Sequence, residues 1–201
     1  MSLKNKNKMM LIDGNSLFYR AYYATQYKND KLWTNSEGVP VNAVLVFWKM
    51  LHNLVLTYKP THLMIALDAH GVSFRKKQFP FYKANRKENP KDLIAQFSIF
   101  REMLDSTGIE WLENVDLEAD DLIASFVNQN KDLANQILIV SSDQDLMQLV
   151  EDKVSILIPK TKQEYLLVNN SNFFSLNNIY PKQIVDYKSL LGDPSDNIPG
   201  A

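Results

Sequence analysis

The sequence predicts an α/β protein in which a mostly parallel central sheet carries helices on both faces. Short, continuously apolar runs at residues 9–12, 63–67 and 137–140 are typical of strands buried on both faces. Segments with helical periodicity separate these runs, and strands that alternate with helices favour parallel crossover connections. One layered domain accounts for the pattern.

Helical periodicity is clearest in three segments. Asn42–Tyr58 repeats apolar residues on one face, and Lys91–Thr107 does the same before Gly108 ends the pattern. Ala119–Asn130 shows the same spacing on a shorter scale. The remaining predicted elements are strands at residues 154–158 and Tyr165–Val168 and a helix at residues 181–191.

The composition limits the function classes. The 201 residues suit one buried core, and 22 Lys and Arg against 23 Asp and Glu give no global attraction to nucleic acid or membranes. The absence of cysteine excludes disulfides, thiolate zinc sites and a cysteine nucleophile. The apolar run at residues 9–12 is too short for a signal peptide or membrane span, so we expect a cytoplasmic protein with no membrane partner.

Acidic residues follow all three buried runs. Asp13 follows the first, Asp68 the second, and Asp143 and Asp145 the third. A single Asp after a strand commonly caps a helix or starts a turn. Because ligands of open α/β sheets bind at the carboxyl ends of the strands, three such cases together favour a shared site.

Two further acidic groups have simple explanations when each is taken alone. Glu118, Asp120 and Asp121 open a predicted helix, where negative charge is favourable. Asp193 and Asp196 lie in a turn-rich segment that is typical of a loop. Gathered in one place, however, like charges about 4 Å apart repel by roughly 4 kcal/mol per pair at an effective dielectric near 20, so the cluster requires cations.

Oxygen ligands without His or Cys select hard ions, so the sequence predicts two Mg²⁺ ions, with Mn²⁺ as a substitute. Two such ions about 4 Å apart lower the pKa of a bound water and stabilise both oxygens of a phosphodiester in the transition state. The expected substrate is therefore anionic.

A basic and aromatic segment directly after Asp68 is suited to such a substrate. Cations for phosphates and rings for unstacked bases are typical of single-stranded nucleic-acid binding, although a solvated basic loop has the same composition. Near the first strand, Arg20 is a further candidate contact. The segment's cations are Arg75, Lys76, Lys77, Lys83, Arg86, Lys87 and Lys91, and its rings are Phe74, Phe79, Phe81 and Tyr82.

Several ordered motifs resemble a known family, the 5′→3′ exonuclease (flap endonuclease-like) domain of bacterial DNA polymerase I and of small stand-alone proteins. The resemblance runs from about residue 10 to residue 200. The matching segments are residues 11–15, 19–21, 67–68, 73–75, 82–86, 118–121, 142–146 and 191–200.

The resemblance implies a single exonuclease N-terminal domain over residues 1–201, with a PIN-like (resolvase-like) core and a helical arch at about residues 70–91. It implies that Lys83 and Arg86 grip the scissile phosphate and that Tyr82 stacks on a base. Arg20, Arg75, Lys76, Lys77 and Phe79 are the expected substrate contacts. The metal ligands that it implies are Asp13, Asp68, Glu118, Asp120 and Asp121 for one ion and Asp143, Asp145, Asp193 and Asp196 for the second, with some of them shared. The family's helix–hairpin–helix element would follow residue 200 and is absent from the sequence.

The implied partner is DNA with 5′ ends or 5′ flaps, with RNA–DNA hybrids as a further candidate and a monomer as the default assembly. One alternative is a catalytically weak 5′-flap-binding module. Another is a phosphatase with an aspartyl nucleophile, which normally requires a second Asp two residues after the first, where Asn15 stands.

Overall fold

The computed structural model of the protein describes residues 7–26, 33–161 and 164–201. Over these residues the main sheet has six strands in the order β3-β2-β1-β4-β5-β6, and only β6 runs antiparallel to its neighbour. The strands are β1 (Lys8–Asp13), β2 (His62–Asp68), β3 (Glu110–Asn114), β4 (Gln136–Val140), β5 (Val154–Pro159) and β6 (Tyr165–Val168).

Helices cover both faces of this sheet, and a short hairpin closes the described chain. The helices are α1 (Gly14–Gln26), α2 (Asn42–Tyr58), α3 (Phe74–Gln78), α4 (Lys91–Thr107), α5 (Ala119–Asn130), α6 (Phe173–Asn177) and α7 (Ile184–Leu191), with 3-10 helices at Asp145–Leu149 and Pro181–Gln183. The hairpin pairs β7 (Gly192–Asp193) with β8 (Ile198–Pro199). None of the helices in the described residues is long and apolar enough to cross a membrane.

The alternation of side chains along β1 divides the core into two layers. Met10 and Ile12 face a cluster that includes Phe18 of α1, whereas Leu11 faces a cluster that includes Ile123 of α5. In the first layer the Phe18 ring stacks on Phe100 of α4, with ring centroids 4.4 Å apart. Burial on both faces explains why the central strands are continuously apolar.

The order of the strands places the carboxyl ends of β1, β2 and β4 side by side. β1 lies between β2 and β4 and runs parallel to both, with Ile12 opposite Ile65 on one side and Val140 on the other. The chain builds the sheet outward from β1 to β3 and then returns to the other side of β1. This reversal is the topological switch point at which open α/β sheets bind ligands.

The predicted fold class is confirmed, and so are the predicted strands. β3 was not predicted because it lies at the sheet edge, where only Trp111 among its residues is partly buried, and it lacks an apolar run. The helix predicted at residues 181–191 begins with the 3-10 turn Pro181–Gln183 and becomes α-helical at Ile184.

The implied helical arch is largely not helical in the structure. Within residues 70–91, α-helix is confined to α3 and the first residue of α4, and turns follow α3. This segment lies against the loop between β7 and β8: the Asn85 side chain donates to the carbonyl of Pro194 at 2.8 Å, and the Asn197 side chain donates to the carbonyl of Phe81 at 2.8 Å.

Candidate metal and nucleic-acid site

Asp13 lies at the carboxyl end of β1, where its carboxylate is buried. The Ser141 hydroxyl donates to Oδ2 at 2.6 Å, and the main-chain N–H of Ser16 donates to Oδ1 at 2.9 Å. Burial raises the pKa of Asp13 to about 7, although both hydrogen bonds act to lower it. Next to it, Gly14 lets the chain pass close to β2, because a Cβ there would lie 2.4 Å from a methyl group of Leu67.

A second group of acids consists of Asp68 at the end of β2 and Asp120 at the start of α5. Oδ1 of Asp68 accepts a hydrogen bond from the main-chain N–H of Ala119 at 2.8 Å. The Asn15 side chain holds the backbone here, accepting from the N–H of Asp68 at 3.0 Å. Asp120 follows in α5, and burial and then the charge of Asp121 raise the pKa of Asp120 to about 6.

A third group of acids meets where the 3-10 helix after β4 approaches the C-terminal hairpin. One carboxylate oxygen from each of Asp145, Asp193 and Asp196 lies within 4.8 Å of the other two. Gly192 has a φ of +75° and passes so close to Gly200 and Ile198 that a Cβ would overlap their backbone, so glycine is required to place Asp193. Burial also raises the pKa of the nearby Asp143.

These acids line one open cleft of about 610 Å³ at the carboxyl ends of the strands. Eight of the nine predicted metal ligands lie in its wall: Asp13, Asp68, Glu118, Asp120, Asp143, Asp145, Asp193 and Asp196. The ninth, Asp121, is not in the wall and instead forms two hydrogen bonds with Arg75, at 2.6 and 2.7 Å. Arg75, an expected substrate contact, is therefore engaged with a protein carboxylate.

Lys83 and Arg86 also line the cleft, and both are paired with acids in its wall. Nζ of Lys83 lies 2.7 Å from Glu118, and a guanidinium nitrogen of Arg86 lies 2.6 Å from Asp196. Burial acts to raise the pKa of Glu118, but the hydrogen bond and charge of Lys83 bring it below its ordinary value. The backbone of Lys83 has a φ of +55°, and its N–H donates to the carbonyl of Asp196 at 2.9 Å.

The other predicted substrate contacts lie in different surroundings. Tyr82 is 8% exposed and donates its hydroxyl to Glu118 at 2.9 Å, so its ring presents little surface for stacking. Lys77 pairs with Asp116, and the Arg20 guanidinium donates to a main-chain carbonyl at residue 160. Lys76 and Phe79 are exposed, and Phe79 is 66% exposed.

The structure adds a cation that was not predicted from the sequence, Lys188 of α7. Its ammonium pairs with Asp145 and lies 2.7 Å from Oδ2 of Asp193. Burial acts to lower the pKa of Lys188, but its hydrogen bonds to both acids raise it above the ordinary range. In turn, Lys188 and then Ser195 lower the pKa of Asp193 to about 2. The sequence offered one indication of this role: Lys188 lies in the predicted helix at residues 181–191, which directly precedes Asp193 and Asp196.

Comparison with known protein families identifies the family of the chain. Residues 8–176 match the model of the 5′-3′ exonuclease, N-terminal resolvase-like domain. The chain belongs to this family. The matched region contains the ends of β1, β2 and β4 and the start of α5, and therefore every acid of the cleft except Asp193 and Asp196.

Two relatives show how much of a longer protein the chain covers. It is 39% identical over 196 residues to DNA polymerase I of Mycobacterium bovis, covering 97% of this chain and 21% of that protein. It is 38% identical over 197 residues to a 5′-3′ exonuclease of Bacillus subtilis, covering 98% of this chain and 66% of that protein. The chain thus spans about a fifth of the first relative and just under two thirds of the second.

Solved structures share the fold. A structure of the bacteriophage T5 5′-exonuclease with divalent zinc ions bound has a TM-score of 0.74 and 25% identity, covering 96% of this chain and 69% of that one. The flap endonuclease-1 of Methanococcus jannaschii has a TM-score of 0.65 and 15% identity, covering 98% of this chain and 67% of that one. The second likeness is one of fold alone.

Proposed function

We propose that this chain is a divalent-metal-dependent 5′→3′ nuclease that hydrolyses phosphodiester bonds of DNA with 5′ ends or 5′ flaps. The observation that carries the proposal is the convergence of eight carboxylates in one cleft, with the side chains of Lys83 and Arg86 beside them. The family membership of the chain supports the same activity.

The donor set fits hard divalent ions. The clustered side chains offer carboxylate oxygens and no His or Cys, which favours Mg²⁺, with Mn²⁺ as a substitute. Burial raises the pKa of Asp13 to about 7 and that of Asp120 to about 6, and a bound dication would offset the cost of their negative charge. We propose that Asp13, Asp68, Glu118 and Asp120 hold one ion and that Asp143, Asp145, Asp193 and Asp196 hold the second. Asp121 remains a proposed contributor to the first ion, although it would have to leave Arg75.

The bound ions would supply an activated water and stabilise charge on the reacting phosphate. Lys83 and Arg86 are expected to bind the phosphate of the substrate and not the ions. Lys83 and Arg86 are paired with Glu118 and Asp196, the carboxylates expected to bind the ions. Dications held by those acids would neutralise their charge, and both side chains would then be available to grip the scissile phosphate from the wall of the cleft.

The surroundings of the cleft favour a nucleic-acid strand with unpaired bases. Phe79 and Phe81 are 66% and 77% exposed and lie in the same segment as Lys83 and Arg86. Exposed rings beside phosphate-binding cations suit stacking on successive bases. The polymerase and exonuclease names of the relatives support a role in DNA replication and repair. We expect cleavage to release 5′-phosphate-terminated products.

The test uses a labelled 5′-flap oligonucleotide with Mg²⁺ or Mn²⁺, compared with the same reaction in EDTA. We expect cleavage only with the metal, and loss of cleavage in Asp68→Asn with the fold intact or more stable, because that change relieves repulsion. Asp132→Asn removes one exposed acid outside the cleft and should cleave normally. Flap binding without cleavage, even at high Mn²⁺ and protein concentration, would instead support the catalytically weak binding module.

A further inference from the structure

Lys188 holds a position within the third group of acids that no other described lysine or arginine shares. Its ammonium pairs with Asp145 and Asp193, two of the three carboxylates whose oxygens lie within 4.8 Å of one another. The third, Asp196, is paired instead with Arg86 and more distantly with Lys83, which reach it from residues 83–86. Lys188 comes from α7, which directly precedes β7 and the loop at residues 194–197.

The ammonium of Lys188 therefore occupies a position at which a metal ion could bind. A dication bound to Asp145 and Asp193 would need the same oxygens and would repel the ammonium at close range. The two cations cannot share these carboxylates in this geometry, so one must yield. The Lys188 side chain is able to yield, because it is 26% exposed and its flexible stem can carry the charge toward solvent.

We propose that Lys188 is a positioning residue that competes with the second divalent ion for Asp145 and Asp193 and thereby sets the metal concentration at which that ion loads. This inference rests on the proposed metal-dependent function and adds its regulation. Of the four carboxylates proposed for the first ion, Glu118 alone forms an ion pair among the described residues, with Lys83. Three of the four proposed for the second ion are paired, Asp145 and Asp193 with Lys188 and Asp196 with Arg86. The two ions should accordingly load at different concentrations.

The test is a titration of the protein with Mn²⁺ alone, followed by the electron paramagnetic resonance signal of free Mn²⁺. We expect wild type to show one tighter and one weaker site. In Lys188→Met the weaker site should become about tenfold tighter, the size of a typical coupling between two bound species, while the tighter site stays unchanged. Lys182→Met removes the same charge from an exposed position six residues earlier and should match wild type.

A purely structural role for Lys188 would give a different result, since loss of support would weaken Mn²⁺ binding. Lys188→Arg keeps the charge and should bind Mn²⁺ no more tightly than wild type. Thermal melting adds a second readout: Lys188→Met should melt below wild type in EDTA, and saturating Mn²⁺ should remove most of the difference. This recovery is expected because the ion replaces the missing ammonium between Asp145 and Asp193.

Three results would overturn the inference: unchanged or weaker Mn²⁺ binding in Lys188→Met, tighter binding in Lys188→Arg, or failure of Lys188→Met to fold at saturating Mn²⁺. Failure of the proposed function looks different, because wild type itself would then bind no Mn²⁺. If wild type binds Mn²⁺ but substitution of Lys188 has no effect, the competition by Lys188 is wrong and the proposed metal-dependent function still stands.

Discussion

The guanidinium of Arg75 and the carboxylate of Asp121 form two parallel hydrogen bonds, 2.6 and 2.7 Å long. The same carboxylate accepts from the main-chain N–H of Glu118 at 3.0 Å, which completes a capping box at the start of α5. Asp121 thus ties residues 73–78 to α5, while its neighbour Asp120 lines the cleft. Two adjacent aspartates in the sequence have different surroundings.

This difference predicts opposite effects of two matched substitutions. Asp121→Asn should lower the free energy of unfolding by about 1–2 kcal/mol, because it weakens charge-assisted hydrogen bonds in a partly buried pair. Asp120→Asn should leave stability unchanged or raised, because burial disfavours its charge, and should abolish cleavage. Thermal melting in EDTA and a flap-cleavage assay separate the two. Loss of Mn²⁺ binding in Asp121→Asn without loss of stability would instead make Asp121 a metal ligand.

The buried carboxyl of Asp13 predicts a pH dependence of stability in EDTA. Its folded pKa of about 7 lies above the ordinary value of 3.8, so it contributes stability that is fully present below pH 4 and is lost as the pH rises toward 7. Asp13→Asn cannot ionise and should lose less stability than wild type over this range. Melting temperatures from pH 4 to pH 8 measure the effect, and parallel curves for the two proteins would contradict it.

Lys83 is expected to act on the phosphate and not on the metal. Lys83→Ala should slow cleavage by about 10²–10³-fold, the usual cost of removing one group that stabilises transition-state charge. Mn²⁺ binding should be retained or become tighter, because the substitution removes no carboxylate and releases Glu118 from its ion pair. Lys49→Ala, an exposed position on α2, serves as the control. Single-turnover rates and Mn²⁺ titrations measure the two effects separately. Weaker Mn²⁺ binding in Lys83→Ala with an unchanged cleavage rate at saturating metal would contradict the prediction.

The exposed ring of Phe79 predicts a contribution to DNA binding without a contribution to folding. Phe79→Ala should weaken binding of a single-stranded 5′ tail by about 1–3 kcal/mol, the cost of losing one stacked base. The melting temperature should not change, because the ring is 66% exposed. Leu133→Ala removes a similarly exposed apolar side chain outside the cleft wall and should bind normally. Fluorescence anisotropy in EDTA measures both variants, and equal affinities would rule out stacking by Phe79.

The parts of the site that were predictable from the sequence are those fixed by the sheet. Asp13, Asp68 and Asp143 follow buried parallel strands, so their approximate meeting place follows from the strand order alone. Periodicity does not reveal which of two adjacent helix residues points into the cleft. Successive residues differ by about 100° around an α-helix, which separates Asp120 from Asp121.

Contacts between distant loops were harder to predict. Lys188 meets Asp145 only because α7 packs beside the 3-10 helix that follows β4, and no local pattern encodes that contact. Tyr82 has the composition of a stacking residue, yet its hydroxyl finds Glu118 and the ring becomes buried. The region expected to be a helical arch contains Pro80 and a positive φ at Lys83, both unfavourable in a helix interior.

Anomalous diffraction from crystals grown with Mn²⁺ tests the central claim most directly. We expect two Mn²⁺ peaks in the cleft, one among Asp13, Asp68 and Asp120 and the other among Asp145, Asp193 and Asp196, with the Lys188 ammonium displaced from the second. A cleft without Mn²⁺, or with Mn²⁺ only at unrelated surface acids, would contradict the proposal that these carboxylates are gathered to hold divalent ions.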